Sequence, residues 1–305
     1  MNGFHHVTVL LEETVNALCA QPGGVYLDGT AGGGGHAALL LEKMQHSGTL
    51  YALDRDPDAI TNLREKFADK PAVRVVHGNF FEAAKLLPEI KLNGVLLDLG
   101  VSSHQLNTGH RGFSYRREAP LDMRMSQTGI SAAELVNTLS EQELSKLFFD
   151  LAQEKFARKI ARAIVNARAH GSIASTTQLA EIIANAVPAA ARRDGHPARK
   201  TFMALRYACN GELDGLEEAL NSLFNMLVPG GRMAVITFNS LEDAAMKRVT
   251  KNLISGCICP AEFPMCTCGK SPRANVPHKP KTPSQTELEQ NPRARSAKLR
   301  VLKKL

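Results

Sequence analysis

Two hydrophobic patterns alternate along the first third of the chain. Short runs of consecutive apolar residues predict buried strands, and apolar residues at helical spacing predict helices between them. The predicted strands cover residues 25–28, 49–53, 73–77 and 94–98, and the predicted helices cover 35–45, 57–68 and 81–88. Regular alternation of this kind is typical of an α/β fold in which helices cover both faces of a parallel sheet.

The pattern becomes helical after the fourth strand. Ser140 and Glu143 form a capping-box sequence, which indicates a helix start. Strand character returns at 233–238, after a predicted turn at Pro229-Gly230-Gly231, and a helix to about residue 254 and a last strand at 296–304 follow. We therefore predict an α-helical domain at 106–206, inserted into a sheet domain formed by 1–105 and 207–305.

The first strand runs into a glycine-rich turn. Asp28 ends the strand, four glycines occupy 32–35, and an alanine- and leucine-rich helix follows. Glycine permits positive φ and places no side chain between the backbone and a ligand. Because a helix start presents unpaired amides, the turn suits an anion or a carboxylate.

Two ligand classes fit this turn. Gly32-x-Gly34-x-x-Ala37 satisfies a dinucleotide fingerprint, and Asp28-x-x-x-Gly32-x-Gly34 resembles the first motif of S-adenosylmethionine-dependent methyltransferases. Asp54, at the end of the second strand, could accept from ribose hydroxyls in both classes. The glycines leave both alternatives open. A glycine-rich surface loop without a ligand is the third interpretation.

Positive charge is concentrated in the predicted insert. Residues 106–206 hold 15 Lys and Arg against nine Asp and Glu, which is +6 of the chain's net charge of +7. Such a surface indicates a polyanionic partner, although any single basic helix face is usually only solvated. Our candidates for contact with a nucleic acid are seven arginines: Arg111, Arg116, Arg117, Arg158, Arg162, Arg192 and Arg193.

Six cysteines in 305 residues do not indicate a disulfide scaffold. Four of them, Cys257, Cys259, Cys266 and Cys268, are clustered. One residue within each pair is shorter than the usual zinc spacing, so we predict no metal and keep these thiols as weak zinc candidates. No apolar stretch is long enough to span a bilayer, and we expect a cytoplasmic protein with no membrane contact.

Several longer motifs carry a more specific resemblance. They are Asp98-Leu99-Gly100-Val101-Ser102-Ser103, Arg111-Gly112-Phe113-Ser114, Leu121-Asp122-Met123-Arg124-Met125, Ser240-Leu241-Glu242-Asp243 and Asn291-Pro292-Arg293-Ala294-Arg295-Ser296. Together, and in this order, they resemble the bacterial 16S ribosomal RNA cytosine-N4 methyltransferases. The resemblance covers essentially the whole chain. It implies a methyltransferase sheet interrupted by a helical substrate-recognition domain.

The resemblance also implies a cofactor and its binding residues. S-adenosylmethionine would be bound by Gly34, Gly35, His36, Asp54, Phe80, Asp98 and Gln105. We expect Phe80 to offer an apolar face to adenine, and Asp98 to accept an N–H of the attacking cytosine amine. The implied substrate is 16S ribosomal RNA, within the small ribosomal subunit, and we infer no obligate protein partner.

Two positions depart from the family pattern. Asn239 stands where the family usually has histidine, and Met203 stands where it often has glutamine. The alternatives are a dinucleotide-dependent oxidoreductase, a DNA cytosine-N4 methyltransferase and a non-catalytic RNA-binding protein. A C5-methylating enzyme would need a cysteine nucleophile, and no cysteine lies in the predicted strand-end loops of the first half.

Overall fold

The computed structural model describes residues 8–189, 192, 195–256, 259, 265 and 267–305. The chain divides into two compact units. The first is Met1–Gly100 with Gly215–Leu305, and the second is Val101–Asp214. These boundaries differ from the expected ones, because residues 101–105 and 207–214 lie with the helical unit.

Seven strands form one sheet within the described residues. They are β1 Val25–Asp28, β2 Thr49–Asp54, β3 Val73–His77, β4 Leu92–Asp98, β5 Leu227–Thr237, β6 Ala274–Asn275 and β7 Lys298–Lys304. Their order is β3-β2-β1-β4-β5-β7-β6, with parallel pairing from β3 to β5 and antiparallel pairing of β7 with both neighbours. The predicted α/β methyltransferase fold with a helical insertion is confirmed.

The described α-helices are numbered in chain order. They are α1 Leu11–Leu18, α2 Gly35–Lys43, α3 Pro57–Lys66, α4 Ala83–Leu86, α5 Ser103–Asn107, α6 Ala132–Thr138, α7 Glu141–Ala152, α8 Ala157–Arg168, α9 Thr176–Ala186, α10 Ala198–Asn210, α11 Leu216–Met226, α12 Ser240–Ile254 and α13 Gln285–Gln290. Helices α5 to α10 belong to the second unit, and the others belong to the first.

Most predicted elements of the first unit are present within a few residues of their expected limits, with two differences. The helix expected at 81–88 is a 3-10 turn, Phe80–Glu82, followed by the single-turn α4. The turn expected at Pro229-Gly230-Gly231 lies inside β5, which starts at Leu227. The pairing of β4 with β5 shifts register between Leu92 and Gly94, and this irregularity accommodates the proline and glycines.

Side-chain caps define the starts of α5, α6, α7 and α9 in the second unit. Ser131 and Ser140 each form a complete capping box, with Glu134 and Glu143 respectively, so the capping box predicted at Ser140 is confirmed. Apolar side chains from α6 to α10 form one buried cluster, which includes Phe148 and Ile160, both fully buried. Local sequence and a shared core therefore both specify these helices.

One buried asparagine fixes the long loop before α6. Asn210 is 4% exposed; its Oδ1 accepts from the amide of Met125 at 2.8 Å, and its Nδ2 donates to the carbonyl of Met123 at 2.8 Å. These bonds hold Asn210, the last residue of α10, against residues 123–125 of the same unit. They give a physical reason why residues after 206 lie with the helical unit.

None of the described helices is both long and apolar enough to cross a membrane.

We expect Asn210→Ala to lower the free energy of unfolding by about 2–4 kcal/mol, because a buried amide and a buried carbonyl lose their partner. Urea unfolding followed by circular dichroism measures this change. Asn166→Ala, at an exposed position of α8, is the control and should change stability by no more than about 0.5 kcal/mol. Equal small effects for both variants would contradict the role of Asn210.

Candidate active site

The carboxyl ends of five parallel strands, β1 to β5, meet at one edge of the sheet. Three of the strands end in an acid: Asp28 on β1, Asp54 on β2 and Asp98 on β4. Ligands of open α/β sheets bind at this edge. The sequence prediction that these acids share one edge is confirmed by the strand pairing.

The glycine turn joins β1 to α2 in a tightly held conformation. Gly34 caps α2 with a φ of 69°, and its amide donates to the carbonyl of Ala31 at 2.7 Å. Lys66, at the end of α3, donates from Nζ to the carbonyls of Gly33 and Gly34, each at 2.9 Å. The turn is therefore fixed by a side chain 32 residues away.

Packing explains part of the glycine requirement. A Cβ at Gly35 would lie 1.9 Å from Oγ1 of Thr8, and one at Gly34 would lie 3.0 Å from Leu63 and Phe67. At these two positions the protein itself fills the space of a side chain. Close packing, together with the positive φ of Gly34, is therefore a reason for glycine at these positions.

Asp54 is held by backbone amides on both oxygens. Oδ2 accepts from Gly32 at 2.7 Å, and Oδ1 accepts from Asp56 at 2.8 Å. Burial raises the pKa of this carboxyl to about 6, although these bonds oppose the shift. Each carboxylate oxygen has a second acceptor site, so the group can also accept from a hydroxyl.

Asp28, Asp98 and Glu242 form a crowded acidic cluster. Burial raises the pKa of Asp28 to about 7, and burial together with the charges of Asp28 and Glu242 raises the pKa of Asp98 to about 8. Oδ2 of Asp28 and Oδ1 of Asp98 are buried and have no hydrogen-bond partner in the described part of the chain. The cluster therefore offers acceptor atoms to a cationic or N–H-bearing ligand.

His36 lies between Val9 and the acidic cluster. Its Nε2 is 3.1 Å from the carbonyl of Val9, and its Nδ1 is 4.0 Å from Oδ2 of Asp98. Because a carbonyl only accepts, Nε2 carries a proton and donates this bond. The separation from Asp98 is longer than a hydrogen bond, so His36 is a buried neighbour of the carboxylate rather than its partner.

Phe80 is at the third strand-end loop, after β3. It is half-buried in the 3-10 turn that Asn79 caps, and its ring meets that of Phe81 edge to face at 4.7 Å. The amide of Gly78 donates to the carbonyl of Asp54, which ties this loop to β2. An aromatic ring therefore stands on the loop next to the ribose-binding candidate.

Gln105 belongs to the second unit. It is 5% exposed, and its Oε1 accepts from the amide of Ser102 to complete the capping box of α5. Its predicted contact with the cofactor stays a prediction.

The loop after β5 contributes Asn239 and Glu242, to which the sequence analysis assigned no role in the site. Asn239 caps α12 by accepting from the amides of Leu241 and Glu242, so this departure from the family pattern has a structural role. Oε2 of Glu242 accepts from the amide of Phe238 at 2.8 Å. The charge of Glu242 contributes to the raised pKa of Asp98. An acid in the first helical turn after a strand is the signal that could have identified Glu242.

The predicted RNA-contact arginines fall into different environments. Arg116, Arg117, Arg158, Arg162 and Arg192 are exposed, and Arg193 lies outside the described residues. Arg162 pairs with Glu141 at 3.2 Å, and Arg192 donates from Nε to the carbonyl of Val187.

Arg111 corrects one prediction. It is 4% exposed and its guanidinium donates to the carbonyls of Arg124 and Met125 at 3.0 and 2.9 Å. A buried guanidinium that satisfies backbone carbonyls cannot contact RNA phosphates. The basic, aromatic composition of this loop suggested a surface, but here the arginine crosslinks the loop from inside.

The cysteine cluster is described only in part. Sγ of Cys259 accepts from the amide of Thr267 at 3.4 Å, and Cys268 is exposed. Cys257 and Cys266 lie outside the described residues. Among the described side chains no group of three or more metal-binding residues occurs. The question of zinc therefore stays open at this cluster.

Comparisons with known proteins identify the family. A profile of the MraW methylase family matches residues 3–305. This chain belongs to the MraW methylase family. The ribosomal RNA small subunit methyltransferase H of Heliobacterium mobile is 48% identical over 312 residues, which cover 99% of each chain. The enzyme of the same name from Brevibacillus brevis is 48% identical over 309 residues, with 99% of this chain and 98% of the relative covered.

Solved structures show more distant similarity. An rRNA methylase from Streptococcus thermophilus is 10% identical, with a TM-score of 0.43 and coverage of 98% of each chain.

The family membership confirms three predictions from the sequence. The resemblance itself is confirmed, the protein is a methyltransferase, and its cofactor is S-adenosylmethionine. The residues at the sheet edge fit this cofactor, because unpartnered buried carboxylate oxygens suit a ligand with a sulfonium and an ammonium group. The amide-anchored carboxylate of Asp54 suits its ribose hydroxyls.

The acidic cluster predicts a pH dependence of stability. The pKa of Asp98 rises from 3.8 to about 8 on folding, so the folded chain retains a proton through this interval. Stability contributed by the protonated group is therefore lost as pH rises towards 8. Asp98→Asn cannot lose a proton, and we expect it to raise the free energy of unfolding of the cofactor-free protein more at pH 8 than at pH 5.

Urea unfolding at the two pH values measures the effect, which should exceed about 1 kcal/mol, since one pKa unit corresponds to about 1.4 kcal/mol. Asp69→Asn is the control. The hydrogen bond from Lys70 lowers the pKa of Asp69, an exposed carboxyl, so this variant should not reproduce the effect. An identical pH profile for Asp98→Asn and the parent protein would contradict the buried proton.

Proposed function

We propose that this chain transfers the methyl group of S-adenosylmethionine to the exocyclic N4 amine of a cytidine in 16S ribosomal RNA. One observation carries the chemistry. Oδ1 of Asp98 is buried at the carboxyl edge of the sheet without a hydrogen-bond partner in the described chain. It is an acceptor that the fold itself leaves unsatisfied, and an amine N–H would satisfy it.

The sheet-edge residues have distinct roles in holding the cofactor. Asp54 accepts from ribose hydroxyls, and Phe80 packs against the adenine. The turn at Gly34 and Gly35 forms the base of the cofactor site. His36 packs beside Asp98, and Gln105 remains a further candidate for cofactor binding. The fixed geometry of the turn and of Asp54 supports these roles, because a pre-organised site loses little conformational freedom on binding.

The reaction forms an N–CH₃ bond and breaks a sulfonium S–CH₃ bond. When bound, S-adenosylmethionine would supply an activated methyl group that a nitrogen lone pair can attack, and the S–C electron pair would leave on sulfur, which becomes the neutral thioether of S-adenosylhomocysteine. The N4 lone pair of cytosine is delocalised into the ring, so the amine needs help to attack. Asp98 accepts one N–H, favours the rehybridised amine and receives the proton that the product nitrogen releases. A cationic ligand nearby favours the ionised carboxylate that this role needs.

The second unit supplies the contacts with RNA. Arg116, Arg117, Arg158, Arg162 and Arg192 are exposed on it and can neutralise phosphates. The cytosine must also leave its stack before its amine can reach Asp98, which is easiest in single-stranded or looped RNA. Recognition of the assembled small subunit, a cytoplasmic location and independence from a protein partner belong to this proposal.

Transfer of labelled methyl from S-adenosylmethionine to unmodified small-subunit particles tests the function, with nucleoside analysis of the product. We expect N4-methylcytidine, and competing DNA of the same sequence should not reduce its yield. Methylated DNA, or cofactor binding without any transfer to RNA, would overturn the proposal.

Asp98→Asn should lower the single-turnover rate at saturating cofactor by about 100-fold or more, because the amide cannot take up the proton. Asp69→Asn, at an exposed carboxylate on the surface, should keep the parent rate. A near-normal rate for Asp98→Asn would remove the acceptor role.

Charge reversal at Arg158 and Arg162 should weaken RNA binding and leave cofactor affinity unchanged. Loss of two phosphate contacts should reduce the slope of log affinity against log salt by about two. Charge reversal at Arg64 and Arg74, on the first unit, changes the net charge equally and is the control. If the double variant on α8 loses cofactor affinity as well, these arginines are structural.

A further inference from the structure

A cleft of about 780 Å³ lies along α7 and α8 of the second unit. This volume falls in the range of about 300–1,000 Å³ that is typical of small-ligand sites. Two aromatic rings and four cations line it: Phe149, Phe156, Lys146, Lys155, Arg158 and Lys159. We call it the α7–α8 cleft.

Phe149 has no packing role in the helical core. Its neighbour Phe148 is fully buried in the core of the unit, whereas Phe149 is 61% exposed. The capping box at Ser140 specifies the start of α7, and the apolar face of Leu144 and Phe148 specifies its packing. Exposure of a large aromatic ring therefore gains nothing for folding, and such rings are typical platforms for nucleobase stacking.

The cations of the cleft are available to a ligand. Lys146, Lys155, Arg158 and Lys159 are exposed, and none has an ion pair within 4.0 Å in the part of the chain that the structure describes. Four exposed cations in one cleft favour a polyanion as its ligand.

The acids of the cleft compete weakly for these cations. Glu141 is paired with Arg162 at 3.2 Å. Glu154 is 6% exposed, and its Oε1 accepts from the amide of Phe156 at 2.9 Å. Asp150 is exposed and is the remaining acid among the described lining residues. The accessible charge of the cleft is therefore positive.

We propose that the α7–α8 cleft binds single-stranded RNA, with one nucleobase stacked on Phe149 and the flanking phosphates held by Lys155, Arg158 and Lys159. The proposal rests on the proposed function, since this RNA is part of the methylation substrate. Stacking on an aromatic ring tolerates any base, because every base has a π-face. The cleft thus holds a strand of the substrate without reading its sequence.

Phe149→Ala tests the stacking contact. We expect KM for unmodified small-subunit particles and Kd for protein-free small-subunit RNA to rise about tenfold, with kcat unchanged. Phe149→Trp should restore both values, because its ring also stacks. Ile130→Ala, which removes another exposed apolar side chain of the same unit, is the matched control and should change neither value. Circular dichroism and thermal unfolding of each variant check the fold.

The chain contains no tryptophan, so Phe149→Trp also introduces a single fluorescent reporter. A single-stranded RNA oligonucleotide should quench this fluorescence, and charge reversal at Lys155 and Lys159 should weaken the quenching.

Unchanged KM and Kd for Phe149→Ala, or a tryptophan that RNA does not quench, would overturn the proposal. A rise in KM for particles without a change in affinity for protein-free RNA would also overturn it, since the cleft would then contact a ribosomal protein. Failure of the proposed function would give a different set of results. The parent protein would then transfer no methyl to small-subunit RNA, whereas the tryptophan would still report whether RNA enters the cleft.

Discussion

Burial of several carboxyl groups at one edge of a parallel sheet is the constraint on which the first unit depends. Asp28 and Asp98 end neighbouring strands, and Glu242 faces them from the first turn of α12. Like charges in a desolvated site cannot all ionise, so the cluster retains protons at neutral pH. Backbone amides and the bond from the amide of Asp98 to Oγ1 of Thr30, at 2.6 Å, hold the strand ends together despite this repulsion.

The same crowding gives the site its preference for a positively charged ligand. A cation near Asp98 lowers the free energy of the ionised carboxylate, which burial and the neighbouring acids disfavour. Binding energy and proton release are therefore linked through one group. The acids that reduce the stability of the cofactor-free chain are those that favour the bound state, as expected for a functional site rather than a structural one.

The local sequence pattern was sufficient to predict the strands and helices, but not the contacts of the site between residues far apart in the sequence. The strands, the glycine turn and the acids of Asp54 and Asp98 follow from periodicity and from the rule that ligands bind at the carboxyl ends of strands. Lys66 holds the turn from 32 residues away, and no periodicity indicates that contact. Arg111 was misjudged for the same reason, because the carbonyls that bury it lie 13 and 14 residues further along the chain.

The two units differ in how closely folding and binding are connected. In the first unit Asp98 affects stability and is also the acceptor that we propose, so a change there is expected to alter stability and chemistry together. In the second unit the helix caps and the buried face of α7 specify the fold. Phe149 and its neighbouring cations belong neither to these caps nor to the buried face. Side chains that the fold does not need can vary without loss of stability. The exposed face of α7 and α8 can therefore vary to suit the RNA that we propose it binds, whereas the residues at the sheet edge are limited by the charges that they must bury.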